Sequence, residues 1–481
     1  MSNPPPPQLL ARLMALLGPK GFTSDPTQIA PWIEDWRKRF RGSTAALLSP
    51  ATAEEVSEIV RACADAHHPL VPQGGNTSMV GGAVPGPEGG LLLSLRRMNR
   101  IRAVLADDNV AVAEAGVILA NLHEACATVG RRFPLTLGAR GSATIGGLVS
   151  TNAGGTQVLR FGTMRGLVLG IEAVLPDGSL YNGLAALKKD NRGYDLRQLL
   201  IGAEGTLGVV TAASLKLVPA IGSRAVAWIG LASPGKALAL LRLLESALGD
   251  RVEGFELIPR TALELVLTHI PGARAPLAGQ HDWHVLIEAA APIGAPGPEK
   301  ALERALRAAL KARLAEDGVI AASEAQAEAF WRIRDSIAEA EKSDGPAAKH
   351  DLSVAVSAMP RFMVEASAAV ESRFPGARVI AFGHLGDGNV HFNVRAPAGA
   401  DSGWADGEGQ AVTRFVHNLV VAAGGSISAE HGIGQLRLSE LARLGDPARL
   451  AAMRAIKAAL DPHGIMNPGK LVPLAEAPLH P

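Results

Sequence analysis

The densest chemistry in this sequence lies in His384-Leu385-Gly386-Asp387-Gly388-Asn389-Val390-His391-Phe392-Asn393. Asp-Gly between two apolar-patterned runs is a strong signal for a two-residue hairpin loop. A hairpin closed on Asp387-Gly388 sets Gly386 against Asn389, Leu385 against Val390 and His384 against His391. Cross-strand partners share a face of the sheet, and Asn393, two residues on, joins the face of His391. Two imidazoles and an amide then meet, and two opposed imidazoles make a natural pair of ligands for a divalent metal. The competing reading is a pair of strand histidines that only satisfy hydrogen bonds, and another loop length would break the register. A metal needs further ligands. The best supply is Glu430-His431 in Ser-Ala-Glu-His-Gly-Ile-Gly, where a carboxylate suits the ion and the imidazole beside it can act as a base. A solvated loop before a helix is the alternative there.

A substrate anchor should be cationic. The segment 326–342, QAEAFWRIRDSIAEAEK, reads as a helix with Phe330, Ile333 and Ile337 on its apolar side, and Arg334 follows that face. Arginine grips a carboxylate with two parallel hydrogen bonds, although a surface charge is the commoner role for one arginine.

These groups must be positioned by a larger frame, and glycine marks it. Gly138 to Gly166 carries eight glycines in 29 residues, interleaved with Ser142, Thr144, Thr151 and Asn152. Glycine permits positive φ and close approach, and bare amides beside short polar side chains suit oxygen-rich ligands such as phosphates. Ile145, Leu148 and Val149 thread the stretch, so it should be partly buried against something other than protein, which we read as a cofactor. A second loop runs from Gln73-Gly74-Gly75-Asn76-Thr77-Ser78 to Gly81-Gly82. A third, Ile201-Gly-Ala-Glu-Gly-Thr-Leu-Gly-Val-Val210, is an ordinary turn taken alone and a third wall of one site taken with the others.

Around the loops, 53–67 reads as a helix burying Val56, Ile59, Val60 and Cys63, and 119–129 as another. Strands are expected at 91–95, 110–115, 168–175 and 207–218. Residues to about 220 thus form one α+β unit. After Pro219, strands at 224–231, 252–258 and 283–290 alternate with helices at 234–247, 299–315 and 326–342, a second α+β domain. A tail helix at 440–460 leads into Asn467-Pro-Gly-Lys470. No internal repeat is visible.

Composition narrows the class. Lys+Arg 47 balance Asp+Glu 46, which argues against nucleic acid or an anionic membrane as partner. The two cysteines, Cys63 and Cys126, match no metal or iron–sulfur spacing and fit a reducing compartment. The N-terminus reads as a flexible start followed by a helix, without the features of a signal peptide, and no apolar run spans a bilayer. A soluble, cytoplasmic chain is expected.

The three glycine loops, PQGGNTSMVGG (72–82), GSATIGGLVSTNAGG (141–155) and IGAEGTLGVVT (201–211), resemble the FAD-binding domain of the vanillyl-alcohol oxidase superfamily. FGHLGDGNVHFNV (382–394), SAEHGIGQLR (428–437) and NPGK (467–470) resemble its FAD-linked D-2-hydroxy-acid dehydrogenase branch, which includes D-2-hydroxyglutarate and D-lactate dehydrogenases and the glycolate oxidase flavin subunit. The resemblance covers nearly the whole chain. It implies an α+β architecture: a split FAD-binding domain (1–220), a ferredoxin-like substrate domain (221–425) and a C-terminal helical segment (426–481) returning to the flavin. No G-x-G-x-x-G opens a helix after a first strand, so this is not the Rossmann solution. FAD contacts are implied for Pro72, Gly74, Gly75, Asn76, Thr77, Gly81, Gly138, Ser142, Ile145, Gly146, Gly147, Asn152, Gly154, Gly155, Glu204, Gly205, Gly208, Val209 and Asn467. Asn76 stands where relatives with covalent flavin often carry histidine, which implies non-covalent FAD.

The family pattern further implies His384, His391 and Glu430 as metal ligands, with Asn393 near metal or substrate and His431 at the substrate hydroxyl. Zinc is the first choice for two histidines and a carboxylate with an open position; manganese and cobalt accept the same ligand types. Lys349 matches a second position at the substrate carboxylate, with Arg334. Ala338 departs from the hydroxyl residue that hydroxyglutarate dehydrogenases often carry one helical turn after the arginine. The expected reaction is oxidation of a D-2-hydroxy acid, D-2-hydroxyglutarate or D-lactate, to the 2-oxo acid. The metal polarises the hydroxyl, His431 takes its proton and hydride passes to flavin N5. Three other readings stand beside it: an oxidase using oxygen, the flavin subunit of a glycolate-oxidase-like complex, and a non-redox metal hydrolase. Electrons would leave to an electron-transfer flavoprotein or a quinone, and a homodimer is the base expectation.

Overall fold

The computed structural model describes residues 4–86, 89–187 and 189–473. Of the flexible start expected at the N-terminus, residues 1–3 lie outside the described residues. The chain divides into two units. One comprises Met1–Gly155, Gly162–Val218 and Glu430–Pro481; the other comprises Thr156–Phe161 and Pro219–Ala429.

The first unit holds two main sheets. In the four-stranded sheet the order is Phe22–Thr23, Leu47–Leu48, Leu91–Ser94, Leu70–Gln73. Leu91–Ser94 is central, parallel to both neighbours and buried along its whole length. Such a continuous apolar run is what a strand covered on both faces requires. The helix Ala53–Asp65 starts at Thr52, whose hydroxyl accepts from Glu55 N, and buries Val56, Ile59, Val60 and Cys63. That apolar face packs in one core with Leu9, Leu13 and Leu17. The five-stranded sheet is antiparallel, ordered Ile101–Leu105, Val110–Glu114, Val209–Lys216, Val168–Val174, Leu180–Gly183.

The C-terminal segment also belongs to this unit. Leu70 N donates to Ile465 O and Asn467 N to Leu70 O, both at 2.8 Å, so residues 465–467 extend the outer edge of Leu70–Gln73. The tail helix expected over 440–460 is two helices, Leu438–Leu444 and Pro447–Leu460. Pro447 lacks the N–H that a continuous helix would need, and Asp446 caps the second helix by accepting from Arg449 N.

The second unit is built on a seven-stranded antiparallel sheet. Its order is Asp317–Ile320, Ile221–Leu231, Trp283–Pro292, Val252–Pro259, Arg378–His384, Asn389–Arg395, Ala347–Ser353. The single helix expected over 326–342 is two, Glu324–Asp335 and Ile337–Ser343, turning at Ser336. Phe330, Ile333 and Ile337 nevertheless enter one core with Trp228, Ile258 and Phe382, so the apolar side is as the spacing predicts. The strand Ala347–Ser353 and the helices Met359–Arg373 and Gly409–Ala422 were not anticipated.

Candidate active site

The hairpin register differs from the sequence expectation. His384 pairs with Asn389 and Phe382 with His391, so the turn is the four residues 385–388 rather than Asp387-Gly388 alone. Both Asp387 N and Gly388 N donate to His384 O, while the Asp387 carboxylate accepts from Asn389 N at 2.9 Å. Gly388 has φ +81°, and a Cβ there would stand 2.0 Å from Val354 O, so the wider turn is pressed against the neighbouring backbone. His384 and His391 are therefore diagonal rather than opposite. They still share a face, with ring centroids 5.5 Å apart and planes at 78°.

That face can be read row by row from the pairing. Glu256, His384, Asn389 and Ser353 form one row, Phe382, His391 and Asp351 the next, and Ile380, Asn393 and Lys349 a third. Glu256, which the sequence reading missed, is 1 % exposed. Its carboxylate accepts from His384 Nδ1 at 2.6 Å and from Arg334 Nε at 2.9 Å. Burial alone would raise its pKa, but the adjacent guanidinium and imidazole outweigh burial and hold it at about 2. Burial opposes the charged form of His384 in turn, and Glu256 pulls its pKa up to about 9. Arg334 Nη2 lies 3.2 Å from His384 Nε2. A guanidinium N–H can donate there only to an unprotonated nitrogen. The proton that Glu256 stabilises therefore sits on Nδ1, and Nε2 is the basic nitrogen of the ring.

Arg334 is thus brought to the predicted histidine by its helix. Lys349 and Asn393 are cross-strand partners, and both reach a second missed carboxylate, Glu341 on the helix Ile337–Ser343. Lys349 Nζ stands 2.9 Å from Glu341 Oε2, and Asn393 Nδ2 stands 3.0 and 2.8 Å from the two oxygens. Asn389 Nδ2 donates to Asp351 Oδ1 at 2.9 Å, beside His391. Glu256, Glu341 and Asp351 carry no local motif; only the sheet register and the facing helix bring them here.

In the first unit the glycine loops converge. Pro72, Gly74, Gly146, Gly147, Glu204, Gly205, Gly208 and Val209 line one cleft, together with Gln73, Ser78, Val80 and Ser150. Several glycines serve close backbone packing as well as the cleft. A Cβ on Gly74 would stand 2.3 Å from Thr144 Oγ1, one on Gly75 1.9 Å from Ser142 O, and one on Gly155 2.2 Å from Thr136 O. The expectation that this stretch lies against non-protein matter is therefore only half of its explanation. Within it, Ile145–Thr151 is a short helix ended by Asn152 in the left-handed region, and Gly154 is buried in the segment that follows. Thr77 is half-buried, while Gly138 and Ser142 are exposed. Gly81 takes φ +70° against the Phe40 ring, and Asn76 Nδ2 donates to Glu34 O.

Glu204 ties the cleft to the C-terminal segment. Its oxygens accept from Ile433 N and Gly434 N, each at 2.8 Å, and its own carbonyl accepts from Asn467 Nδ2 at 2.6 Å. Gly432 and Gly434 have φ +82° and +50°, which lets this loop close on Glu204 and Val80. The same loop carries Glu430 and His431, whose Oε1 and Nε2 are 3.7 Å apart.

The residues present fit FAD. Buried polar atoms without a hydrogen-bond partner among the described residues include Thr144 Oγ1, Asn76 Oδ1, Gln73 Oε1, Asn467 Oδ1 and Lys470 Nζ, all in this unit. Buried polar atoms are normally satisfied, and a cleft walled by glycine backbone is open to a phosphate-bearing ligand.

Known proteins agree with this fold and cofactor. Residues 222–471 match the family model "FAD linked oxidases, C-terminal domain", and residues 44–183 match "FAD binding domain". The mitochondrial D-2-hydroxyglutarate dehydrogenase of Arabidopsis thaliana is 38 % identical over 95 % of this chain and 80 % of its own length. The D-2-hydroxyglutarate dehydrogenase of Xanthomonas citri pv. viticola is 38 % identical over 95 % of each chain. A D-2-hydroxyglutarate–pyruvate transhydrogenase of Saccharomyces cerevisiae is 34 % identical over 93 % of this chain and 90 % of its own. Among solved structures, alkyldihydroxyacetonephosphate synthase aligns with TM-score 0.73 at 15 % identity, covering 97 % of this chain and 87 % of that one. Substrate-bound p-cresol methylhydroxylase aligns with TM-score 0.72 at 15 % identity over 96 % of each. These two share the fold, an α+β FAD-binding architecture of the vanillyl-alcohol oxidase type. The chain belongs to the FAD-linked oxidase family and is an FAD-linked oxidoreductase, as its motifs lead one to expect. Among the described residues no helix is long and apolar enough to cross a membrane.

Proposed function

We propose that this protein oxidises a D-2-hydroxy acid to the corresponding 2-oxo acid, with a divalent metal, zinc first, assisting at the hydroxyl. The observation that carries the reading is the Glu256–His384 pair. A carboxylate holding Nδ1–H turns Nε2 toward a ligand, the arrangement that orients metal-bound histidines. The lone pair that Arg334 Nη2 faces is the one a bound metal would take, which would free the guanidinium for substrate. His391 shares that face, and His384, His391 and Glu430 would hold the ion. Bound FAD supplies the two-electron acceptor, and a bound metal supplies Lewis-acid polarisation of the hydroxyl.

The chain's own residues do the rest. Arg334 grips the α-carboxylate by its guanidinium, with Lys349 as a second cation on the same side. Asn393 offers an amide between Lys349 and the histidines. His431 takes the hydroxyl proton, and its half-buried position beside Glu430 favours a base rather than a surface residue. FAD is held without a covalent link, Asn76 being unable to form the histidyl bond, so acid precipitation should release all the flavin to the supernatant. Cys63 and Cys126 are buried, their thiols pushed up to about 12 and about 11 by burial, and neither serves as an electron relay. Electrons pass to a separate acceptor, an electron-transfer flavoprotein or a quinone.

D-2-hydroxyglutarate, the substrate in the relatives' names, and D-lactate are the first two acids to try. The test is an anaerobic titration of metal-loaded protein with D-2-hydroxyglutarate, D-lactate, D-malate and D-mandelate, followed at the main flavin band. Bleaching by one of these acids, lost after chelation and restored by metal, is the expected result. Bleaching that survives full removal of the metal would sink the metal's role, and no bleaching by any 2-hydroxy acid would sink the reaction.

A further inference from the structure

The two cations proposed to grip the substrate each arrive with a carboxylate already attached. Arg334 bonds Glu256, and Lys349 bonds Glu341. Glu341 is completely buried, and its two oxygens also take the Asn393 amide. The Lys349 side chain remains 27 % exposed. The lysine side chain is thus partly open to the outside while Glu341 lies fixed beneath it. Such a buried anion is held by its partner and cannot leave or be left unpaired without a large penalty.

We propose that Glu341 sets the substrate class, selecting D-2-hydroxy acids with one carboxylate and rejecting those with a second at the far end. This rests on the 2-hydroxy-acid reading above. Arg334 and Lys349 stand against three carboxylates in this unit, Glu256, Glu341 and Asp351, so neither cation brings an uncompensated charge. The α-carboxylate takes up Arg334, and the remaining cation is neutralised from below. A second carboxylate approaching Lys349 meets Glu341 across the same ammonium and has to share it, a like-charge arrangement that interfaces use to exclude wrong partners. Ala338, four residues after Arg334, carries no hydroxyl that could donate to a second carboxylate. An uncharged far end meets none of these costs.

The test compares two acids of equal chain length, D-2-hydroxyvalerate and D-2-hydroxyglutarate, on the FAD- and metal-loaded protein. The wild type should show kcat/KM for the monocarboxylate at least equal to that for the dicarboxylate. Glu341→Gln keeps the shape and an amide for Asn393 and Lys349 but removes the charge. It should move the ratio of the two kcat/KM values at least tenfold toward the dicarboxylate. Because the readout is a ratio, general damage to the fold cancels. A shift under threefold, or one toward the monocarboxylate, overturns the proposal. Should the variant fail to fold, wild-type binding of 2-oxoglutarate and 2-oxovalerate, read from the flavin spectrum, decides. A dicarboxylate bound tighter than the monocarboxylate overturns the proposal, and one bound equally or more weakly supports it. Reduction of the flavin by neither acid, nor by any other 2-hydroxy acid, refutes the underlying reaction and this inference with it, and is distinct from a wrong ratio.

Discussion

Replacing Glu256 by glutamine should destabilise the second unit by about 3 kcal/mol at neutral pH, and two routes lead there. The carboxylate is held at about 2, against an ordinary value of 4.5, by Arg334 and His384 working against burial. At 1.36 kcal/mol per pKa unit this difference corresponds to about 3 kcal/mol of stabilisation of the charged form. Independently, removing one partner of a buried ion pair costs roughly 3–5 kcal/mol, because the other charge is left behind. The rise of His384 to about 9 is the same interaction seen from the other side and is not added. Urea unfolding followed by tryptophan fluorescence suits the measurement, since Trp228 and Trp331 lie in this unit. The sign with pH also follows. A carboxyl with a depressed folded pKa contributes fully above its unfolded value and loses that contribution as pH falls from about 4.5 to about 2. The gap between wild type and Glu256→Gln should therefore narrow in acid. A loss below about 1 kcal/mol at pH 7, or a gap that fails to shrink between about pH 5 and about pH 3, would show that Glu256 does not compensate the two cationic groups.

Other perturbations reach the remaining parts of the molecule. Gly75→Ala places a methyl 1.9 Å from Ser142 O, a backbone atom that cannot step aside, so FAD should dissociate at least tenfold more readily on gel filtration; full retention would contradict the close apposition of the two loops. His431→Ala should bind FAD normally yet show no substrate-driven flavin reduction, and reduction at the wild-type rate would remove it from the mechanism. Lys470 is buried, its Nζ has no partner among the described residues, and burial pushes its pKa down to about 8. Lys470→Met should therefore stabilise the FAD-free protein by about 1–3 kcal/mol at pH 7. Wild-type apoprotein should gain stability from about pH 8 to about 10.5, where only the unfolded chain still binds the proton, and the variant should lack that rise; a flat wild-type profile refutes the orphan ammonium.

What could be read in advance was whatever is encoded locally. Helical spacing marks Val56, Ile59, Val60 and Cys63 as a buried face because a 3.6-residue period is a property of neighbouring residues alone. The glycine loops were legible for the same reason: the need for positive φ or close approach leaves its mark on the residue itself. The hairpin showed the limit. Asp387-Gly388 marks a turn, yet the loop is four residues long, and Gly388 packs against Val354, a residue distant in sequence. The diagonal pairing kept both histidines on one face only because the four-residue loop moved the register by two, and the side-chain alternation also has a period of two. Glu256 and Glu341 were invisible because nothing near them in sequence distinguishes them from surface acids. Their meaning comes from strand order and from a helix laid over the sheet. The split of 326–342 at Ser336 and of 440–460 at Pro447 shows one period passing through two elements, and only the second break carried a warning in its proline.

The hydrogen bonds of Asn467 bear on how this protein comes off the ribosome. Its side-chain amide reaches Gly82 O and Glu204 O, residues synthesised 385 and 263 positions earlier. At roughly 5–20 residues per second, the first loop waits on the order of 20–80 s for this partner. Through that interval the outer edge of Leu70–Gln73 stands open, since Ile465 and Asn467 are what close it, and an open strand edge is a template for mispairing. The segment 219–429 has all its strands in hand well before then and can fold at once. The order of maturation is therefore inverted: the unit begun first is finished last, and a nascent chain stalled short of Asn467 would display an unclosed sheet to chaperones and proteases.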